Sequence, residues 1–433
     1  MRLRYAVVLV LAVFAASAAG AQTSWSARTN TGEYAFAQGD VRRAETEFRA
    51  ALEIAQSFPP GDRRLETSLE NLGRLYEHQS DFDRAQPMYQ LLVAAREARL
   101  GRTHPALLDP LFAVARVSQP TGDLPTVVDS LQRYAAIAES SGKAEPRRHW
   151  QALQMLARME TVQEKPDQAV VWQRQAAEVI GDDPSATLQE RVHVLESLAE
   201  MELVAENGPA AERIYVDIAA LRKQKDGANA YPDTMVQGAE TALAAAEFET
   251  AEGLALRALD ANPEAGAELQ ARKVLAEISW IKVNRGTDDM ANLLAAAADD
   301  EELVLARDRL QSLLLLAQGD DRQTLGRLAQ VEALRGQPAS AADWQRQLLD
   351  LVADDPAASA AARRDLVTLL AAGGRYDEAL EENAVVLAEL EARYGPADRR
   401  LMPVLGQRLE ICEAAGNKKE AKKTRKRMKK LAR

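Results

Sequence analysis

Apolar residues recur at helical spacing along almost the whole chain, and strand-like alternation is sustained nowhere. The clearest stretch runs from Leu69 to Pro105. Leu69, Leu72, Gly73 and Tyr76 share one face of a predicted helix, and Ala85, Tyr89 and Leu92 share one face of a second. Polar Gln79, Ser80 and Asp81 predict the turn between them. Gly73 and Ala85 are small, so two antiparallel helices can cross closely there while the larger side chains fill the seam.

The same arrangement steps along the chain. An earlier copy has Gly32, a Gly39-Asp40 turn, then Ala44, Phe48 and Ala51; Gly32 to Ala44 is twelve residues, as is Gly73 to Ala85. Later copies have Leu111, Val114, Ala115 and a Gly122-Asp123 turn before Val127, Leu131 and Tyr134; then Leu153, Leu156, Ala157, Ala169 and Ala176, with Trp172 beside the seam. A fifth has Leu195, Leu198, Ala199, Ala211, Tyr215 and Ile218. Gly73, Ala115, Ala157 and Ala199 lie 42 residues apart in succession, which marks a repeat array. One further unit spans 231–265, with Ala239, Ala251, Ala255 and Ala258. Between 266 and 320 helical periodicity continues without the register: Leu275-Ala276 suits a first helix, but Asp288 falls where a small residue belongs. The register returns with Leu325, Leu328, Ala329, a Gly336-Gln337-Pro338 turn and Ala341 with Leu348. Leu366, Val367, Leu370, the Gly374-Arg375-Tyr376 turn and Ala379 follow. The last unit has Leu405, Leu409, Gly416-Asn417 and Ala421, and its second helix is nearly all charge, as the end of an array requires.

Leu69-x-x-Leu72-Gly73-x-x-Tyr76 followed by Ala85-x-x-x-Tyr89 resembles the tetratricopeptide repeat, with Leu69 where that pattern prefers Trp and Tyr89 where it prefers Phe. Leu100-Gly101-Arg102-Thr103-His104-Pro105 and the period of 42 resemble the longer, kinesin-light-chain-like variety. Tyr394-Gly395-Pro396 echoes that linker, with Asp398 and no His-Pro pair after it. The sequence thus predicts an all-α chain of about 18–21 helices. The resemblance implies antiparallel helix pairs wound into a right-handed superhelical solenoid, which the irregular middle could divide into two sub-arrays. The expected organisation is residues 1–21 as a leader, 22–230 as an N-terminal array of about five units, 231–265 as a further unit, 266–320 as an irregular helical segment, and 321–433 as C-terminal units.

The first residues set the compartment expected. Arg2 and Arg4, the apolar run Tyr5–Ala16 and the Ala19-Gly20-Ala21 ending read as a secretory signal peptide cut before Gln22. An uncleaved anchor is the rival reading, but the run is short of the roughly 20 residues a span needs. Cys412 is the only cysteine, so no internal disulfide can form, which fits a bacterial periplasm or an extracellular setting. Charge is unevenly placed. Residues 417–433 hold ten Lys/Arg against Glu420 alone, a net of +9, so the chain from residue 22 to 416 carries -22 against a total of -11. An acidic body argues against nucleic acid as a partner.

Catalytic motifs are scarce. His78, His104, His149 and His193 show no metal-ligand spacing, and surface or half-buried roles fit them better. No phosphate loop, dinucleotide fingerprint or nucleophile elbow occurs. Ser140-Ser141-Gly142-Lys143 offers a Ser-x-x-Lys pair without the companion motifs of that enzyme class. Cys412 reads as a packing residue. No cofactor, metal or catalytic residue is expected.

One constellation points to binding. Arg74, Arg116 and Arg158 each follow the small first-helix residue of successive units, bounded by Glu33 and Glu200 at the equivalent places. The resemblance implies that this position faces a concave groove, where a ladder of guanidiniums suits an acidic peptide. Asn71 matches the asparagine that in kinesin-light-chain-like repeats can hold a bound peptide backbone. The bland alternative is a solvated face whose arginines pair with Glu70 and Glu77. The leading expectation is a non-enzymatic extracytoplasmic scaffold binding a segment of another envelope protein. Two alternatives stand beside it: the basic helix at 417–433 holding anionic lipid or polysaccharide at an envelope surface, and an enzyme with an unrecognised site within 268–320.

Overall fold

The computed structural model describes residues 2–284, 286, 289–296, 300–317 and 321–432, with side chains from residue 20 onward. Among these there are 21 α-helices, two short 3₁₀ turns and no strand. The chain forms two compact units, Met1–Ile214 and Tyr215–Arg433.

The first unit holds α1 (Arg2–Ala37), α2 (Val41–Ala55), α3 (Arg63–His78), α4 (Phe82–Leu100), α5 (Leu108–Ser118), α6 (Leu124–Ser141), α7 (Pro146–Val162), α8 (Pro166–Asp182) and α9 (Leu188–Val204). The unit boundary falls inside α10 (Gly208–Asp226). Consecutive helices pack as pairs, α1 with α2, α3 with α4, α5 with α6 and α7 with α8, and each second helix also packs on the next first helix. Aspartates start many of the helices: Asp40, Asp81 and Asp123 each accept a hydrogen bond from the backbone N–H three residues on.

Small seam residues do what their spacing predicted. A Cβ on Gly32 would sit 2.6 Å from the Phe48 ring, and one on Gly73 would sit 2.9 Å from the Tyr89 ring. Ala115 and Ala157 stand at the same repeat position and are fully buried; sixteen residues on from each, Leu131 and Gln173 replace the ring. In the fifth copy the seam is shifted from expectation. Leu195 is half-buried while Val192 and Val194 are buried, because α9 turns those two inward.

The second unit holds α11 (Ala230–Ala244), α12 (Phe248–Asp260), α13 (Ala265–Val283), α14 (Met290–Ala295), α15 (Glu301–Leu316), α16 (Arg322–Leu334), α17 (Pro338–Leu351), α18 (Pro356–Ala372), α19 (Tyr376–Tyr394), α20 (Met402–Ala414) and α21 (Lys418–Leu431). Here α13 pairs with α15, and the short α14 lies between them in sequence while packing on α16 and α18. That insertion is why the register is lost: a helix occupies the place of a tight turn. Asp288 lies outside the described residues. Asp321 restarts the pattern by accepting from the backbone N–H groups of Gln323 and Thr324.

A buried amide recurs four residues after the small second-helix alanine. Gln173 donates to the Val194 carbonyl at 2.9 Å, Gln345 to the Ala362 carbonyl at 3.1 Å, and Asn383 to the Val404 carbonyl at 3.3 Å. Each bond ties a second helix to the first helix of the following pair. Phe48, Tyr89 and Leu131 hold the same position elsewhere and are buried there.

The two long linkers are built alike. Gly101 (φ 90°, ψ 160°) and Gly395 (φ 90°, ψ 155°) adopt a conformation open essentially to glycine alone. A 3₁₀ turn follows each, Pro105–Leu107 and Arg399–Leu401. His104 Nδ1 accepts from the Ala106 N–H at 3.1 Å, and Asp398 takes over that role by accepting from the Arg400 N–H at 2.8 Å. The Arg400 side chain also donates to Asp398 and holds its carboxyl down at about 2.

Candidate functional site

A cavity of about 360 Å³ opens in the first unit among α3, α4, α5 and α7. Its apolar floor is Tyr89, Leu92, Phe112 and Ala113, and its rim carries Arg74, Arg96, Arg116 and Arg148 with Glu70 and Asp109. Two of the three ladder arginines, Arg74 and Arg116, are therefore brought together. Arg158 is exposed at the equivalent position on α7 and does not line the cavity. Asn71 lies one turn from Arg74, with its amide 3.5 Å from a Glu33 carboxylate oxygen.

Most rim charges are already matched. Arg116 pairs with Glu77 at 2.6 Å, and Arg148 pairs with Asp109. Arg96 bridges Glu66 at 3.1 Å and Glu70 at 2.9 Å, and donates to the Ala106 carbonyl at 3.0 Å. Arg99 approaches Glu66 at 2.6 Å. Burial pushes the Glu66 carboxyl up, but the donors on Arg99 and Arg96 outweigh it and hold the group below the usual carboxylate range. Tyr89 donates to Glu77 at 2.9 Å, and burial with the Glu77 charge pushes its phenol well up, so the ring stays neutral. Arg74 makes no ion pair among the described residues. Of the two acids that the solvated-face alternative named, Glu77 is paired with Arg116, whereas Glu70 is reached by Arg96 from α4.

Sequence reasoning singled out Arg74 and Arg116 but missed Arg96, Arg148 and the Phe112–Tyr89 floor. A signal for the ion pairs exists. Glu45–Arg84, Glu77–Arg116 and Asp109–Arg148 all join an acid to an arginine 39 residues later, three short of the repeat. Charges spaced just under the period therefore belong to inter-pair bridges.

Two further cavities occupy one and the same place in the repeat. One, of about 480 Å³, lies between α4 and α6, and one of about 280 Å³ lies between α19 and α21. Val93, Ala94 and Glu97 in the first correspond to Leu387, Ala388 and Glu391 in the second. Arg133 pairs with Glu97 and Arg427 with Glu391. Both cavities follow the long linkers.

The remaining candidates have structural surroundings. His78 meets Phe36 edge-on at 5.2 Å, His104 caps its 3₁₀ turn, and His193 is exposed. Burial lowers the His149 pKa beside Tyr134. Cys412 is buried, and burial pushes its thiol up. Ser140 donates to the Ile137 carbonyl at the end of α6. Among the described residues no group of three His, Cys, Asp or Glu could hold a metal, and no helix is long and apolar enough to cross a membrane.

A family model for the tetratricopeptide repeat matches residues 23–98, which spans from within α1 to within α4. Among solved structures, a putative kinesin light chain with nearly identical TPR-like repeats from Podosopora anserina is 16% identical, covering 46% of this chain and 95% of its own, at a TM-score of 0.38. The apo form of RapI is 10% identical, covering 75% of this chain and 99% of its own, at 0.39. PilF of Pseudomonas aeruginosa is 16% identical, covering 60% of this chain and 99% of its own, at 0.34. No curated protein matches the chain.

Proposed function

We propose that the chain, an all-α array of helix pairs whose residues 23–98 match the tetratricopeptide repeat, is a non-enzymatic extracytoplasmic scaffold whose first unit holds a segment of another envelope protein. The observation that carries this reading is the cavity at Arg74. Tyr89 and Phe112, both buried, line its floor, while among the described residues Arg74 on its rim makes no ion pair. Such a site favours a peptide carrying an acidic residue. Arg116 contributes as a paired charge with Glu77, so a ligand carboxylate at that end would meet a charge already satisfied. The export reading rests on Arg2, Arg4, the apolar run Tyr5–Ala16 and the Ala19-Gly20-Ala21 ending.

Crosslinked capture from envelope extract tests the proposal, with the parent chain beside single variants Arg74→Glu and Arg158→Glu. The proposal expects one defined protein to be captured by the parent and by Arg158→Glu, and lost with Arg74→Glu at unchanged helical content. Equal capture by all three would overturn the groove reading.

A further inference from the structure

We infer that the outer face of α21 is an electrostatic docking surface for anionic phospholipid headgroups, independent of the groove in the first unit. The helix is not a loose basic tail. Ala421, Thr424 and Leu431 are buried, Met428 packs against the core of the second unit, and Arg427 donates to the Pro396 carbonyl at 3.2 Å. That packing fixes which face looks outward.

Cations on α21 divide by type and by partner. Arg425 pairs with Glu413, Arg427 with Glu391, and Lys423 with Glu420 at 3.5 Å. Lys418, Lys419, Lys422, Lys426, Lys429 and Lys430 are exposed and make no ion pair among the described residues. At about 100° per residue these six fall within an arc of roughly 120°, diametrically opposite the buried face. They cover a stripe about 20 Å long. No apolar residue is exposed in it.

A solvent-facing helix surface needs only to be polar, and a mixture of acids and bases would supply that without self-repulsion. Six like charges at helical neighbour spacing instead repel one another, so the face is matched by a polyanion outside the chain. The choice of lysine narrows the polyanion. Compact, strongly hydrated ammoniums on flexible stems suit a fluid array of headgroups rather than a fixed carboxylate or phosphate that an arginine fork would grip. With no aromatic side chain on α21 there is nothing for bases to stack on. With no exposed apolar residue the helix lies on the surface and does not insert.

Vesicle flotation of the full chain tests this, using vesicles of pure phosphatidylcholine and vesicles containing about one-third phosphatidylglycerol, each at low and at high salt. The variants are the sixfold Lys→Gln and the sixfold Lys→Arg at positions 418, 419, 422, 426, 429 and 430. The readout is the difference between parent and variant, so any contribution from residues 2–21 cancels. The inference expects binding to anionic vesicles that falls about a hundredfold or more in the Gln variant, is kept in the Arg variant and weakens with salt. Circular dichroism and a urea melt check that the Gln variant keeps its fold, since the changed side chains bury nothing. Equal partition of parent and folded Gln variant would overturn it. So would a Gln variant that keeps its vesicle binding but loses self-association in sedimentation, which would assign the face to the acidic body of a second copy.

Discussion

Gly73 and Tyr89 set the closest contact in the α3–α4 seam, and the repeat itself supplies the control. At the same position in the next copy Ala115 faces Leu131, and both are buried. Alanine in place of a helical glycine is worth about 1 kcal/mol by propensity, while forcing a methyl against a packed ring costs roughly 1–3 kcal/mol. Gly73→Ala is therefore expected to be neutral to destabilising in the parent and stabilising by about 1 kcal/mol when Tyr89→Leu is already present. A double-mutant cycle in urea measures this, and additive effects would contradict the packing. Glu66 gives a pH prediction. Its folded pKa is lowered by Arg99 and Arg96 against the effect of burial, so its contribution is complete above the unfolded carboxylate value of about 4.3 and is lost as pH falls toward the lower folded value. Glu66→Gln should cost roughly 1–3 kcal/mol near neutral pH, and the gap between parent and variant should close in melts taken at progressively lower pH below that value. A gap that stays constant into acid would show that Glu66 acts through packing alone.

At the scale of the element, the tight turn inside a helix pair places one residue in the left-handed region. Gly39, Gly122, Gly336, Gly374 and Gly416 occupy it in five pairs, whereas Ser80, Glu164, Glu206 and Ala246 occupy it in others, with φ between 57° and 61°. A non-glycine residue there costs about 1–2 kcal/mol, and glycine's extra freedom in the unfolded chain returns roughly 0.5–1 kcal/mol of that. Glu164→Gly and Ala246→Gly are each expected to stabilise by about 0.5–1 kcal/mol in chemical denaturation. A loss of stability in both would contradict the turn geometry. The helix pairs were legible because 42-residue spacing and small seam residues are local signals read directly along the chain. Pairing of α13 with α15 was not, since α14 replaces a turn with a helix and no periodicity announces that substitution. Arg74 and Arg116 were legible from register. Arg96 and Arg148 were not, because their place on the rim follows from inter-pair bridges that join residues 39 apart, a spacing that differs from the period. The buried amides Gln173, Gln345 and Asn383 escaped for another reason: polar residues in a predicted core face carry no sign of the carbonyl they will meet.

For the whole molecule, repeat architecture makes stability close to a sum over neighbouring pairs, so surfaces can vary without loss of the fold. That leaves binding to a few positions on a regular frame. In the first unit two different cavities compete for the role of partner site, the one floored by Phe112 and the one between α4 and α6 lined by Asp129. The measurement that separates them is site-specific photocrosslinking in envelope extract, with a crosslinking residue placed at Phe112 in one chain and at Asp129 in another. If the cavity beside Arg74 holds the partner, a single protein is crosslinked from position 112, that product disappears when Arg74→Glu is added, and position 129 gives none. Crosslinking of the same protein from position 129 and not from 112 would place the partner on the other face and contradict the groove as the binding site.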